Sequence, residues 1–175
     1  MKSYAGIGSR ETPHNVCLLF EKVATYLANQ EYILRSGHAD GADQAFERGC
    51  IKAGGKKEIY LPWKGFEGSH SSLVLDDERA FAVAEKFHPY WHNLTQGAQK
   101  LQARNSYQVL GLTLDDPVQF VLCWTKKGKG QGGTGQALRI AKHYNIPIFD
   151  TGKYEDVGAA RIEMKKFLVS IGVES

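Results

Sequence analysis

The stretch Gly132-Gly133-Thr134-Gly135-Gln136-Ala137-Leu138 constrains this chain most. It lies between the apolar run 118–124 and a helix-like segment ending at His143, the order of a strand, a glycine turn and a helix. Such a turn cradles phosphate: glycine lets the backbone approach a ligand, Thr134 caps the helix or offers a hydroxyl, and the first helical N–H groups point at an anion. Read alone, the motif serves equally well as a flexible connection.

Two more turns of the same kind occur upstream. Residues 2–8 read as a first strand stopped at Gly8-Ser9-Arg10, and Pro13 then opens a helix with Val16, Leu19, Phe20, Val23, Ala24 and Leu27 at helical spacing. A second strand at 32–36 runs into Gly37-His38-Ala39-Asp40-Gly41-Ala42-Asp43 and a helix through about Ala53. A third strand, 57–61, is stopped by Pro62, and 63–75 reads as a loop. Helices are expected over 76–87 and 97–112, with no strand in this middle region. The fourth strand is 118–124, followed by a helix from about Gly135 to Tyr144 and a fifth strand, Pro147-Ile148-Phe149, with Asp150 at its end. A last helix, about 157–171, is expected to carry Ile162, Phe167 and Leu168 inward. The alternation predicts an α/β fold, a doubly wound, mostly parallel five-stranded sheet with helices on both faces. With no repeat, linker or low-complexity tail, residues 1–175 are expected to be a single domain. All three glycine turns then fall at the carboxyl ends of strands, where such sheets bind ligands.

Composition narrows the class. At 42% hydrophobic and 23% charged residues the chain reads as soluble, and neither a membrane span nor a signal-peptide core is visible, so the expectation is cytoplasmic with no membrane partner. Cys17, Cys50 and Cys123 sit apart in apolar patterns and read as buried thiols. His88 and His92 are interrupted by Pro89 and lack a third ligand, so no metal site is expected. A net charge of +3 suits a phosphate-bearing ligand without implying nucleic acid.

Three motifs, Gly6-Ile7-Gly8-Ser9-Arg10, Ser36-Gly37-His38-Ala39-Asp40-Gly41-Ala42-Asp43, and Gly132-Gly133-Thr134-Gly135 with Pro147-Ile148-Phe149, span most of the chain in order. In this the sequence resembles the DprA/Smf and LOG (SLOG) superfamily of Rossmann-like nucleotide-binding proteins, in particular its short phage-type DprA-like members. The resemblance implies a Rossmann-like nucleotide-binding domain, and relatives commonly form homo-oligomers. Its activities diverge: DprA proteins bind single-stranded DNA, LOG enzymes hydrolyse the N-glycosidic bond of nucleoside monophosphates, and other members carry nucleotide-derived ligands. The LOG pattern Gly-Gly-x-Gly-Thr-x-x-Glu places a glutamate where this chain has Arg139.

Cleaving an N-glycosidic bond needs a carboxylate beside the sugar and anchors for the phosphate. Asp40 and Asp43, three residues apart, are the catalytic candidates; the plainer alternative makes Asp40 an N-cap and Asp43 a first-turn acid. The ligand-binding candidates are Gly8, Ser9, Arg10, Ser36, Gly37, His38, Gly41, Gly132, Gly133, Thr134 and Gly135, with Arg10 as a bidentate clamp. Trp63 and Phe66 are candidates for stacking on a base, while Arg104 and Asn105 have the chemistry to reach ribose or base, with a solvated face as their default. Lys126, Lys127 and Lys129 form a basic cluster before the glycine turn. The expected ligand is a nucleotide or nucleotide-derived small molecule, with single-stranded DNA as the alternative; no cofactor is implied.

Overall fold

The computed structural model describes residues 1–173. Its elements are β1 (Ser3–Gly8), α1 (His14–Asn29), β2 (Ile33–Ser36), α2 (Ala42–Lys52), β3 (Lys57–Leu61), β4 (Leu73–Val74), α3 (Glu78–Phe87), α4 (Gln96–Leu110), β5 (Val121–Trp124), α5 (Gly132–His143), β6 (Ile148–Asp150) and α6 (Val157–Ser170). All strand pairs are parallel, in the order β4-β3-β2-β1-β5-β6. The chain steps outward from β1 through β2 and β3 to β4, then returns to the other side of β1 through β5. Strand order therefore reverses between β1 and β5, which opens a crevice at their carboxyl ends.

Side chains alternate along the central strands and so build a core on each face. Tyr4 of β1 and Leu122 of β5 join the cluster formed with α1, α2 and α6, where Phe20 and Phe46 stack at 4.2 Å. Ala5, Ile7, Val121 and Cys123 point the other way, against Val109, Ala137 and Ile140 of α4 and α5. A third cluster, around Tyr60, Ala80, Ala84 and Tyr107, lies under α3 and α4. Among the described residues, no helix is long and apolar enough to cross a membrane.

The sheet has six strands, not the expected five. The added strand is Leu73–Val74, which pairs with Tyr60 and Leu61 at the sheet edge, inside the segment expected to be a loop. Two residues give no alternation to read. The strand is held by its surroundings instead: the Ser71 hydroxyl donates to the Ile59 carbonyl at 2.5 Å. Two further expectations are corrected. Ile162 is 58% exposed, because α6 turns Ala160, Met164 and Leu168 to the core in its place. Helix α5 begins at Gly132, so the glycines are its first turn rather than a connection before it.

The turns after β1 and β2 touch directly. Gly41, the residue before α2, has φ +86° and ψ −122°, and a Cβ there would lie 2.7 Å from the Ser9 carbonyl oxygen. Only glycine meets both conditions without strain. Gly41→Ala is expected to destabilise the fold by about 2 kcal/mol or more; urea unfolding measures it, and a change within experimental error would show that the two turns move apart freely.

Candidate functional site

At the β1/β5 crevice lies a cleft of about 410 Å³. The end of β1 and the turn after it contribute Ile7, Gly8, Ser9 and Arg10; the turn before α2 contributes Ala39, and the first turn of α2 contributes Asp43. One wall is α4, through Leu101, Gln102, Arg104, Asn105 and Gln108; the opposite rim is the start of α5, residues 131–134. Gln131 precedes α5 without a side-chain capping bond, and no acidic residue occupies the first turn. The leading N–H groups of a twelve-residue helix therefore open on the cleft with the positive end of the helix dipole behind them. That arrangement attracts an anion.

Asp43 is buried at the base of this cleft. Its carboxylate accepts from the Gly8 N–H and the Ala39 N–H, both at 3.2 Å, and so ties together the two glycine turns. Burial raises its pKa from 3.8 to about 6; the nearby Arg104 guanidinium and the backbone donors of Ala39, Gly8 and Gly37 pull the other way. Arg104 is buried too. It donates to the carbonyls of Gly37 at 2.6 Å and Tyr60 at 3.1 Å, and its Nε donates to Asn105 Oδ1 at 3.1 Å. Burial lowers its pKa to about 10, so the guanidinium remains charged at neutral pH. Asn105 in turn donates to the Gly133 carbonyl at 3.0 Å, which fastens α4 to the start of α5.

Of the residues singled out from sequence, the cleft brings together Gly8, Ser9, Arg10, Asp43, Gly132, Gly133 and Thr134. Arg10 is more than half exposed and pairs with Glu67 at 3.3 Å. The others stand outside the wall. The Ser36 hydroxyl is fully buried and donates to the Gly6 carbonyl. Gly37 faces Arg104 and Gln108, Gly41 packs on the first turn, and Gly135 packs on the Gly130 carbonyl. His38 Nδ1 lies 2.6 Å from Glu47, whose other oxygen accepts from Lys57 Nζ at 2.6 Å. Asp40 is exposed and accepts from its own neighbour's N–H, that of Gly41. Trp63 lines a separate hollow of about 200 Å³. Phe66 is buried, with the guanidinium of Arg104 5.4 Å and that of Arg10 6.0 Å from its ring centre.

Arg104 and Asn105 take the first of their two expected readings and are not a solvated face; with them in the wall stand Leu101, Gln102 and Gln108, which the sequence did not single out. The signal was present as helical spacing, 101, 104, 105 and 108, but a polar stripe at that period ordinarily marks solvent. Arg139, at the position where the LOG pattern has glutamate, donates to the Phe87 carbonyl and to Gln136, away from the cleft. Lys126, Lys127 and Lys129 are exposed on a loop anchored from below. Asp150 accepts from the Thr125 N–H, the Thr125 hydroxyl and the Gly152 N–H, while Thr125 Oγ1 accepts from the Gly130 N–H.

A raised carboxylate pKa means that the folded state holds its proton more tightly than the unfolded chain does. Asp43 therefore contributes stability in full below its ordinary pKa and loses it as pH rises through about 6. Between about pH 4 and pH 7 this group should cost the wild type about 2–3 kcal/mol. Denaturant titrations at both pH values should show a shallower decline for Asp43→Asn, and parallel declines would contradict the assignment.

Comparison with known proteins places the fold. No protein-family pattern and no curated protein sequence matches the chain. Among solved structures, the single-stranded-DNA-binding DNA processing protein A of Helicobacter pylori superposes with a TM-score of 0.55 at 19% identity, over 85% of this chain and 64% of that one. DNA processing protein A (DprA) of Streptococcus pneumoniae gives 0.54 at 17% identity, over 99% of this chain and 57% of that one. This chain thus spans about three-fifths of the length of those two proteins. The Moco carrier protein of Chlamydomonas reinhardtii gives 0.53 at 14% identity, over 97% of this chain and 99% of that one. The chain shares the Rossmann-like α/β fold of these three structures, with a parallel sheet and helices.

Proposed function

We propose that the cleft binds a nucleotide or nucleotide-derived small molecule and holds it intact. The observation that carries this reading is the uncapped start of α5 opening onto the same cleft as Arg10, at the point where strand order reverses. Phosphate would sit against the N–H groups of Gly133 and Thr134, with Arg10 free to leave Glu67 and close on it. Retention is favoured over hydrolysis by the state of the two acids. Each Asp43 oxygen already accepts a backbone N–H, which suits a group that shapes the turns rather than one that attacks a sugar or activates water. Asp40 is exposed and outside the cleft. A protein of the same fold is a carrier of a cofactor, which is consistent with this use.

A second reading, single-stranded DNA binding, is favoured by the exposed Lys126, Lys127 and Lys129, which lead directly into the rim at Gln131. A DNA processing protein of this fold also binds such strands. The two readings separate by salt and length dependence, because a polynucleotide contacts several phosphates and a mononucleotide one.

Calorimetric titration with AMP, GMP, CMP, UMP and oligothymidylates, at low and moderate salt, tests the choice. The expected result is saturable binding of at least one mononucleotide, recovered chemically unchanged. Arg10→Ala should weaken it about tenfold while leaving thermal stability unaltered. Release of free base would reject the intact-ligand reading. Binding confined to oligonucleotides, growing with their length, would favour the second.

A further inference from the structure

Helix α4 turns three amides toward the cleft, and they differ in one respect. Asn105 is fully committed: its Nδ2 donates to Gln102 Oε1 and to the Gly133 carbonyl, and its Oδ1 accepts from Arg104. Gln102 is partly committed through that contact. Gln108 is 2% exposed, yet among the described residues no hydrogen bond reaches its carboxamide. Neither amide atom is among the fully buried polar atoms that lack a partner, so the carboxamide keeps contact with water in the cleft it lines, and a ligand can take that water's place. The carboxamide is also given its place at the expense of a neighbour. A Cβ on Gly37 would lie 2.3 Å from Gln108 Nε2 and 2.4 Å from Arg104 Nη1, so the bare backbone there makes room for both side chains.

We infer that Gln108 is a specificity-determining residue whose carboxamide reads the hydrogen-bonding edge of the ligand's nucleobase. This rests on the nucleotide reading above and adds which part of the ligand is recognised, and by what. The cleft is divided chemically. Its exposed rim, Gly132 and Gly133 with Arg10, suits an anion. Its buried side, where Gln108 lies, offers a neutral group with a donor and an acceptor in one plane, and the apolar Ile7 and Leu101 also line the cleft. A carboxamide pairs two-pronged with any heterocycle edge that sets a donor beside an acceptor. Arg104 cannot take that role: its Nη1 and Nε already serve Gly37, Tyr60 and Asn105, and a guanidinium has donors only, so it cannot pair with an edge that sets a donor beside an acceptor.

The test measures affinities for inorganic phosphate, ribose 5-phosphate and the four nucleoside 5′-monophosphates in wild type, Gln108→Met and Gln108→Glu. Methionine keeps the length and removes the amide; glutamate keeps the shape and replaces the donor with an acceptor. With Gln108→Met, the preferred mononucleotide should bind about tenfold more weakly or worse, while phosphate and ribose 5-phosphate stay within about twofold. The melting temperature should hold or rise, because no internal hydrogen bond is lost. Gln108→Glu should change the rank order of the bases. The inference is overturned if Gln108→Met leaves the preferred mononucleotide unaffected, or weakens ribose 5-phosphate equally, which would assign the amide to the sugar. It is also overturned if the melting temperature and phosphate binding fall together, which would make Gln108 structural. A wild type that binds none of the mononucleotides rejects the nucleotide reading itself, a result distinct from all of these.

Discussion

The Asp43 carboxylate is the interaction on which the cleft depends. It joins backbone donors from two turns, and the bond to Gly8 spans 35 residues of sequence. Turn positions at the ends of parallel strands have no ladder partner beyond the sheet edge, so their N–H groups need another acceptor. One carboxylate supplies it for both. Burial works against the charge, and the converging N–H dipoles with the Arg104 guanidinium nearby work for it, leaving a group whose proton affinity is raised but whose geometry is fixed. The close packing of Gly41 on the Ser9 carbonyl allows the two turns to come near enough for this to happen.

Helix α4 extends the same logic across the site. Arg104 reaches back to carbonyls at the ends of β2 and β3, and its neighbour Asn105 reaches forward to the carbonyl of Gly133. A single helical turn thus bridges both sides of the crevice. Carbonyl groups satisfied by the wall cannot compete for a ligand, and the N–H groups of the α5 first turn remain directed at the opening. A charge buried in this way is costly, which the lowered pKa of Arg104 reflects, and it is balanced only while all of its acceptors stay in place. The wall and the two turns should therefore behave as one cooperative unit.

Much of this architecture was legible in the sequence because it rests on local patterns. Strands β1, β2 and β3 are short runs closed by glycine or proline, β5 is an apolar run, and α1 shows its buried face plainly in Val16, Leu19, Phe20 and Val23. Strand β4 was not legible, since two residues carry no period and are set by pairing with Tyr60 and Leu61. The inward face of α6 was misread at Ile162, where Met164 and Leu168 win the core by their rotation about the axis. For the site, the glycine motifs located the rim, but the polar stripe of α4 looked like a solvent face. Only the packing of that helix over the strand ends turns Arg104, Asn105 and Gln108 inward, and their helical spacing by itself does not distinguish that face from a solvated one.

Asp150 has an effect that reaches beyond its strand. By holding Thr125 through both backbone and hydroxyl, and with Thr125 in turn holding Gly130, it fastens the lysine-bearing loop to the last strand of the sheet. The loop that precedes the cleft rim is therefore ordered before anything arrives. A tethered but slack arm would surrender its freedom at the moment of capture, and part of the attraction would be spent on that ordering. Here the loss is taken during folding, so the positive field of the three lysines stands at a fixed address and acts on an approaching anion from a distance, as a guide rather than a grasp.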